Sequence, residues 1–320
     1  MNDSKKRILV ATDGSVHSFN AAGYISGIMP PETTSVVLFH VDAEVLDLYA
    51  DVEKQAHKMD MEKASYMEWI AMRRKNMLER LEKTRDLFVE KGFPAKNVEI
   101  ISREIRTGVT RDIIEESLRD YDLLVVGKTG ARSITGVSVG SVTEKLVSKL
   151  SHIPMAVIEG RPETRRILVG FDGSNGSVKA IRTIYGLADS GKSYTLCHVI
   201  RSMNVLAGDF DVFPASIDQT FIPKFDIQRI AHQKKSMEAA MKTEQEWMIS
   251  QGASGSQVQT AILEGYMSRS QALVEKAKKE GYGSLVLGRR GHSTVVEFFI
   301  GRVGKKVVEM CDGMAVWIMN

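Results

Sequence analysis

An aspartate, Asp13, ends the apolar run Ile8-Leu-Val-Ala11 after one threonine and leads directly into Gly14-Ser15. A second group with chemical potential lies far along the chain in the pattern Gly127-x2-Gly130-x9-Gly140-Ser141, which starts where the apolar run Leu123-Leu-Val-Val126 stops. Glycines so placed let a chain leave a strand in conformations closed to bulkier residues and approach a ligand closely. The segment Val142-Thr-Glu-Lys-Leu-Val-Ser-Lys-Leu150 reads as a helix. Gly140 and Ser141 would then set N–H groups and a hydroxyl at its positive end, where phosphate oxygens are favoured. Asp13 could hold a ribose hydroxyl or help bind Mg²⁺ carried by the phosphates. A plainer reading stands beside this one: a glycine-rich turn capped by Ser141 or Thr143, and an Asx turn at Asp13-Gly14-Ser15. At Asp13 the two roles are compatible.

Other chemistries are less well supported. Gly186-Leu-Ala-Asp-Ser-Gly191-Lys192-Ser193 satisfies the P-loop expression in full. That loop needs a strand before it and a helix after it, and here the order is reversed: Lys179 to Gly186 has a helical pattern and Tyr194 to Val199 that of a strand. His40 and His198 occupy matched places, yet neither belongs to a Ser or Cys arrangement that it could activate, so both read as strand-end histidines with satisfied hydrogen bonds. Cys197 and Cys311 sit in apolar stretches without ligand spacing and read as core thiols rather than metal ligands or a disulfide. Lys128, Arg132, Arg289 and Arg290 flank the glycines and could add phosphate attraction or simply be solvated.

Composition is that of an ordinary globular chain, with 43% hydrophobic and 26% charged residues in 320. The charges of both signs are interleaved along helical stretches, which argues against a nucleic-acid partner. The apolar runs are too short to span a bilayer, and no signal-peptide pattern opens the chain, so a soluble cytoplasmic protein without membrane partners is expected.

The elements that must position the glycines occur twice. Arg7-Ile-Leu-Val-Ala-Thr-Asp-Gly-Ser15 recurs as Arg166-Ile-Leu-Val-Gly-Phe-Asp-Gly-Ser174, and Leu123 to Gly130 recurs as Leu285 to Gly291. Glu159 to Arg165, polar with Gly and Pro, reads as a linker, giving domains at 1–160 and 161–320. Within each copy, short Val/Ile/Leu runs alternate with helical patterns, which predicts βαβ units and a parallel sheet. Strands are expected at 7–12, 35–41, 97–101, 122–127 and 154–158, then at 166–171, 193–199, 257–263, 284–288 and 314–319. A long helix is expected over about 51–91, with Trp69, Met72, Met77, Leu81 and Phe88 on the face toward the sheet, and its counterpart near 227–251. A Met-lined groove for a partner is the alternative reading of that face.

With Asp13 at the strand end and the G-x2-G-x9-G-[ST] pattern, the chain resembles the universal stress protein family in its tandem two-domain form. The resemblance implies an α/β fold of two Rossmann-like (adenine nucleotide alpha hydrolase-like) domains. Each would be a five-stranded parallel sheet of order 3-2-1-4-5 with helices on both faces. It further implies ATP, or ADP or AMP, in copies that keep the motif. By that resemblance Asp13 faces the adenosine and the backbone near Val41 meets the adenine. Gly127, Gly130, Gly140, Ser141, Val142 and Thr143 wrap the phosphates, with Val126 lining the pocket. The second copy matches at Asp172, Val199, Gly288, Gly291 and Gly301, but Arg302 replaces Ser141 and Gly304 replaces Thr143. Loss of both hydroxyls predicts weaker binding there, or a different ligand.

The expected function is therefore nucleotide binding that regulates, rather than catalysis. A slow ATPase or a pure interaction module is the alternative, and the chain carries neither S-G-G-x-D-S nor H-x-G-H as a ligase would. The last strand of each copy should lie at a sheet edge, and edges need partners. In the family such edges pair across a dimer interface, which implies an internal pseudo-dimer and allows a homodimer.

Overall fold

The computed structural model describes residues 5–43, 60–130, 139–201, 221–290 and 301–320. They form two compact units, Met1–Arg161 and Pro162–Asn320.

In the first unit the chain runs β1 (Lys6–Ala11), α1 (Val16–Ile28), β2 (Thr34–Asp42), α2 (Asp60–Glu90), β3 (Val98–Glu104), α3 (Val109–Ser117), β4 (Leu123–Gly127), α4 (Ser141–Lys149) and β5 (Met155–Ile158). Every neighbouring strand pair is parallel, in the order β3-β2-β1-β4-β5. Parallel neighbours need crossovers that carry helices over the sheet, which leaves the strands covered on both faces. Successive residues of β1 point to opposite faces, and Ile8, Leu9 and Val10 are all buried, which explains the unbroken apolar runs. Contacts group α1 with α2 and α3 with α4, one pair for each face.

The second unit repeats the plan with β6 (Arg166–Gly170), α5 (Asn175–Leu187), β7 (Ser193–Arg201), α6 (Phe221–Ser250), β8 (Val258–Tyr266), α7 (Arg269–Glu280), β9 (Ser284–Gly288), α8 (Arg302–Met310) and β10 (Ala315–Met319). Its strands are again parallel, in the order β8-β7-β6-β9-β10.

The strands fall where the apolar runs predict, within a residue or a few at each end. β3 and β8 differ most: each begins one residue late, after a 3-10 turn (Ala95–Asn97, Gly255–Gln257), and runs three residues further than expected, to Glu104 and Tyr266. Of the long helix, the part before residue 60 lies outside the described residues. The remainder departs from the expected packing in one respect: Leu81 and Phe88 are fully buried, but Met72 is 63% and Trp69 40% exposed. The reason is length. A helix of 31 residues extends about 46 Å, whereas the seven residues of β3 extend about 23 Å. The amino-terminal half of α2 therefore has no strand beneath it.

Both units begin their first helix with the same device. Ser15 and Ser174 are N-caps with extended backbone, and each side chain accepts from the amide three residues on, Ser18 and Ser177, at 3.2 Å. Gly14 (φ +69°) and Gly173 (φ +78°) make the turn before the cap in the left-handed region, which favours glycine.

Candidate functional site

Strand order in the first unit reverses between β1 and β4: β2 and β3 lie on one side of β1, β4 and β5 on the other. Beyond the carboxyl ends of strands at such a reversal the two outgoing loops diverge and leave a crevice. A cavity of about 930 Å³ opens there. Asp13, Val41, Val126, Gly127, Gly130, Gly140, Ser141, Val142 and Thr143 all line it, although they come from four separate parts of the chain.

Asp13 is anchored by its own turn. Its Oδ1 accepts from the Ser15 amide at 3.1 Å, while its Oδ2 is 2.7 Å from where a Cβ on Gly130 would stand. Any side chain at position 130 would thus displace the carboxylate. A Cβ at Gly127 would lie 3.1 Å from the Thr129 carbonyl, and one at Gly140 would lie 3.3 Å from the Lys128 carbonyl. The glycines are needed for a loop folded this tightly. The Gly140 amide donates to the Lys128 carbonyl at 2.8 Å, closing the loop onto the start of α4. Gly140 is the N-cap and offers no side chain to the first-turn amides of Ser141, Val142 and Thr143. Those amides have no carbonyl within the helix, which makes this end an anion-binding arrangement.

Thr143 also ties the site to the sheet. It is buried, and its Oγ1 donates to the Gly127 carbonyl at 2.8 Å, tying α4 to the end of β4. Lys128 turns from the cavity: its side chain is 3% exposed and Nζ meets Glu159 Oε2 at 3.0 Å. The Lys128 ammonium neighbours the glycines in sequence and a carboxylate in space. Arg132 lies outside the described residues. His40 lines the cavity, and its Nδ1 is 2.9 Å from the Thr12 carbonyl. A carbonyl only accepts, so Nδ1 carries the proton.

Sequence reasoning missed the roof. Trp69, Ile70, Arg73, Met77 and Arg80 of α2 line the cavity opposite the glycines. The Arg73 guanidinium stacks on Trp69 at 4.6 Å, and the Met77 sulfur lies 2.7 Å from where a Cβ on Gly14 would stand. Helical periodicity alone could not reveal these contacts, because it assigns a face to a helix without saying what that face passes over. At the rim Arg74 reaches Asp42 at 3.6 Å and Glu104 at 2.5 Å, joining α2 to the ends of β2 and β3.

Among the described residues no group of three His, Cys, Asp or Glu could hold a metal ion, and no helix is long and apolar enough to cross a membrane. The family model for the universal stress protein family matches residues 5–159 and again 163–316. The chain belongs to the universal stress protein family. A universal stress protein from Archaeoglobus fulgidus shares the fold at a TM-score of 0.62, with 15% identity and 98% of each chain covered. A functionally unknown protein from Pseudomonas aeruginosa does so at 0.55, with 15% identity, covering 99% of this chain and 93% of its own. No curated protein matches the chain in sequence.

The second universal stress protein repeat keeps the scaffold and alters the site. Asp172 repeats the Asx turn, accepting from the Ser174 amide at 3.0 Å, and Val199 is buried in β7. The Gly301 amide donates to the Arg289 carbonyl at 2.9 Å, as Gly140 does to Lys128. Gly291 lies outside the described residues. Arg302 is exposed, and Gly304, in the place of Thr143, has no hydroxyl to hold the end of β9. The loop after β9 instead lies hard against α5. A Cβ at Gly176 would overlap the Arg290 carbonyl, and one at Gly288 would come within 2.7 Å of the Gly176 backbone. In the first repeat the residue matching Gly176 is His17. Arg289 also turns inward: its Nε donates to Asn320 at 2.6 Å, and burial, with Arg290 beside it, lowers its pKa to about 10. His198 Nδ1 donates to the Phe171 carbonyl at 2.8 Å, and its Nε2 meets Gln233 at 3.1 Å.

Proposed function

We propose that the first unit, with the intact glycine loop, binds an adenine nucleotide through its phosphates and acts by binding and regulation. The observation that carries this reading is the convergence of Asp13, the three loop glycines and the uncapped start of α4 on one cavity. Its volume of about 930 Å³ is at the upper end of ordinary ligand pockets, roomy enough for a nucleotide triphosphate. Backbone amides at a helix start suit phosphate oxygens, while Val41 and Val126 supply apolar walls for a base. Asp13 is placed to take a ribose hydroxyl, or to share Mg²⁺ with the phosphates, since Mg²⁺ usually takes only one or two carboxylates beside substrate oxygens. Binding alone suffices for such a role, and His40, bonded to the Thr12 carbonyl, is not assigned as a base.

Purified full-length protein should release ATP, ADP or AMP when denatured and filtered, and Gly140→Glu should lose it. That substitution drives a carboxylate into the Lys128–Gly130 loop and against the phosphate position. Retention of the same nucleotide by the variant would refute the assignment. Incubation with ATP should yield no ADP above background, and turnover abolished by Asp13→Ala would establish an ATPase instead. The second unit, with its degenerate loop, is assigned weak or different ligand binding at Asp172, Val199, Gly288, Gly301 and Arg302. A mass measurement in solution tests whether the chain forms a homodimer.

A further inference from the structure

A cation faces the candidate site from the roof. Arg80 of α2 lines the cavity, and its Nη1 donates to the Gly14 carbonyl over 3.4 Å, a long bond for this pair. Its Cδ lies 3.3 Å from where a Cβ on Gly14 would stand, and the preceding residue, Asp13, touches the Gly130 position. Arg80, Gly14, Asp13 and Gly130 are therefore successive neighbours across the mouth of the glycine loop. Arg80 is exposed as a residue, and its guanidinium takes part in no ion pair among the described residues. A phosphate seated on the glycines beside Asp13 has a carboxylate for a neighbour, which repels it. Arg80 supplies an opposite charge from the other wall, with donors in a fixed fork suited to phosphate oxygens.

The second unit provides an internal comparison. Met237 of α6 meets the Cβ position of Gly173 at 3.2 Å, as Met77 meets that of Gly14. Met241 and Met248 are buried like Leu81 and Phe88. The two covering helices are thus in register, and that register puts Ala240 where Arg80 stands. The unit that lacks the Ser141 and Thr143 hydroxyls also lacks this arginine.

We propose that Arg80 binds the phosphates from the covering helix and makes the first site prefer a nucleoside polyphosphate over a nucleoside. The inference rests on the adenine-nucleotide reading of the cavity. Arg80 acts on the charged end of the ligand only, so its removal separates ligands by charge. Calorimetric titration of full-length protein with ATP, ADP and adenosine, with EDTA present and at two salt concentrations, tests it. Arg80→Ala should weaken ATP binding about ten- to hundredfold, leave adenosine binding unchanged, and flatten the salt dependence. Arg80→Lys should recover part of the loss, keeping the charge without the fork. Equal weakening of ATP and adenosine, or of neither, overturns the role. If Gly140→Glu abolishes ATP binding while Arg80→Ala binds as the unaltered protein does, the Arg80 inference fails and the site stands. If the unaltered protein binds no adenine nucleotide, both fail.

Discussion

Single residues here carry roles set by what they face. Glu116 is buried and gathers the Tyr121 hydroxyl at 2.9 Å, Arg103 at 2.7 Å and Arg119 at 3.4 Å. Burial, reinforced by the hydrogen bond to Glu116, pushes the Tyr121 phenol up to about 12. The fold therefore favours the protonated phenol, and this contribution is complete below the ordinary value of 10.0 and disappears as pH rises through about 12. The Cys197 thiol, pushed up to about 12 by burial, weakens in an overlapping window. Tyr121→Phe should accordingly remove part of the alkaline loss of stability, about 1 kcal/mol of it by pH 11. Denaturation at pH 8 and at pH 11 measures it, and an unchanged difference between the two would sink the attribution. Lys128 teaches the same lesson at the site. Its sequence neighbours suggested phosphate attraction, yet Glu159 holds it.

The first helix of each unit and the turn before it behave as one element. Ser15 caps α1 through its side chain, whereas Asp13 accepts from the Ser15 backbone amide. Stability and site geometry are thereby separable at one residue. Ser15→Ala should cost about 1 kcal/mol in chemical denaturation followed on the first unit, while nucleotide affinity stays close to that of the unaltered protein. A large loss of affinity would show that the hydroxyl, rather than the turn, positions Asp13. The covering helix is the element that sequence reading placed least well. Its end follows the apolar stripe through Leu81 and Phe88 into the core, but the stretch before Leu81 exposes Met72 and brings Arg73, Met77 and Arg80 over the cavity. Nothing in the spacing of those residues distinguishes a face that packs from one that roofs an open space.

At the scale of the whole molecule, duplication of the fold comes with divergence of the site. The second repeat has Arg302, Gly304 and Ala240 where the first has Ser141, Thr143 and Arg80, and its strand-exit loop presses on α5 at Gly176. One tight adenine-nucleotide site per chain is therefore expected. Calorimetric stoichiometry near one checks it, and two equivalent sites per chain would contradict it. The sequence by itself determined the repeat, the parallel sheets and the glycine loop. Apolar runs buried on both faces, a cap after a strand, and glycines such as Gly127 and Gly140 that crowd their own loop's backbone are local requirements, and local requirements leave a mark in residue order. What Thr143, Lys128 and Arg80 each face was decided only by tertiary structure. Asp13 and Gly130 become neighbours because β1 and β4 pair side by side, and Arg80 joins them because α2 passes over the turn that follows β1. Those juxtapositions depend on pairing and packing across the chain, and no spacing within one segment records them.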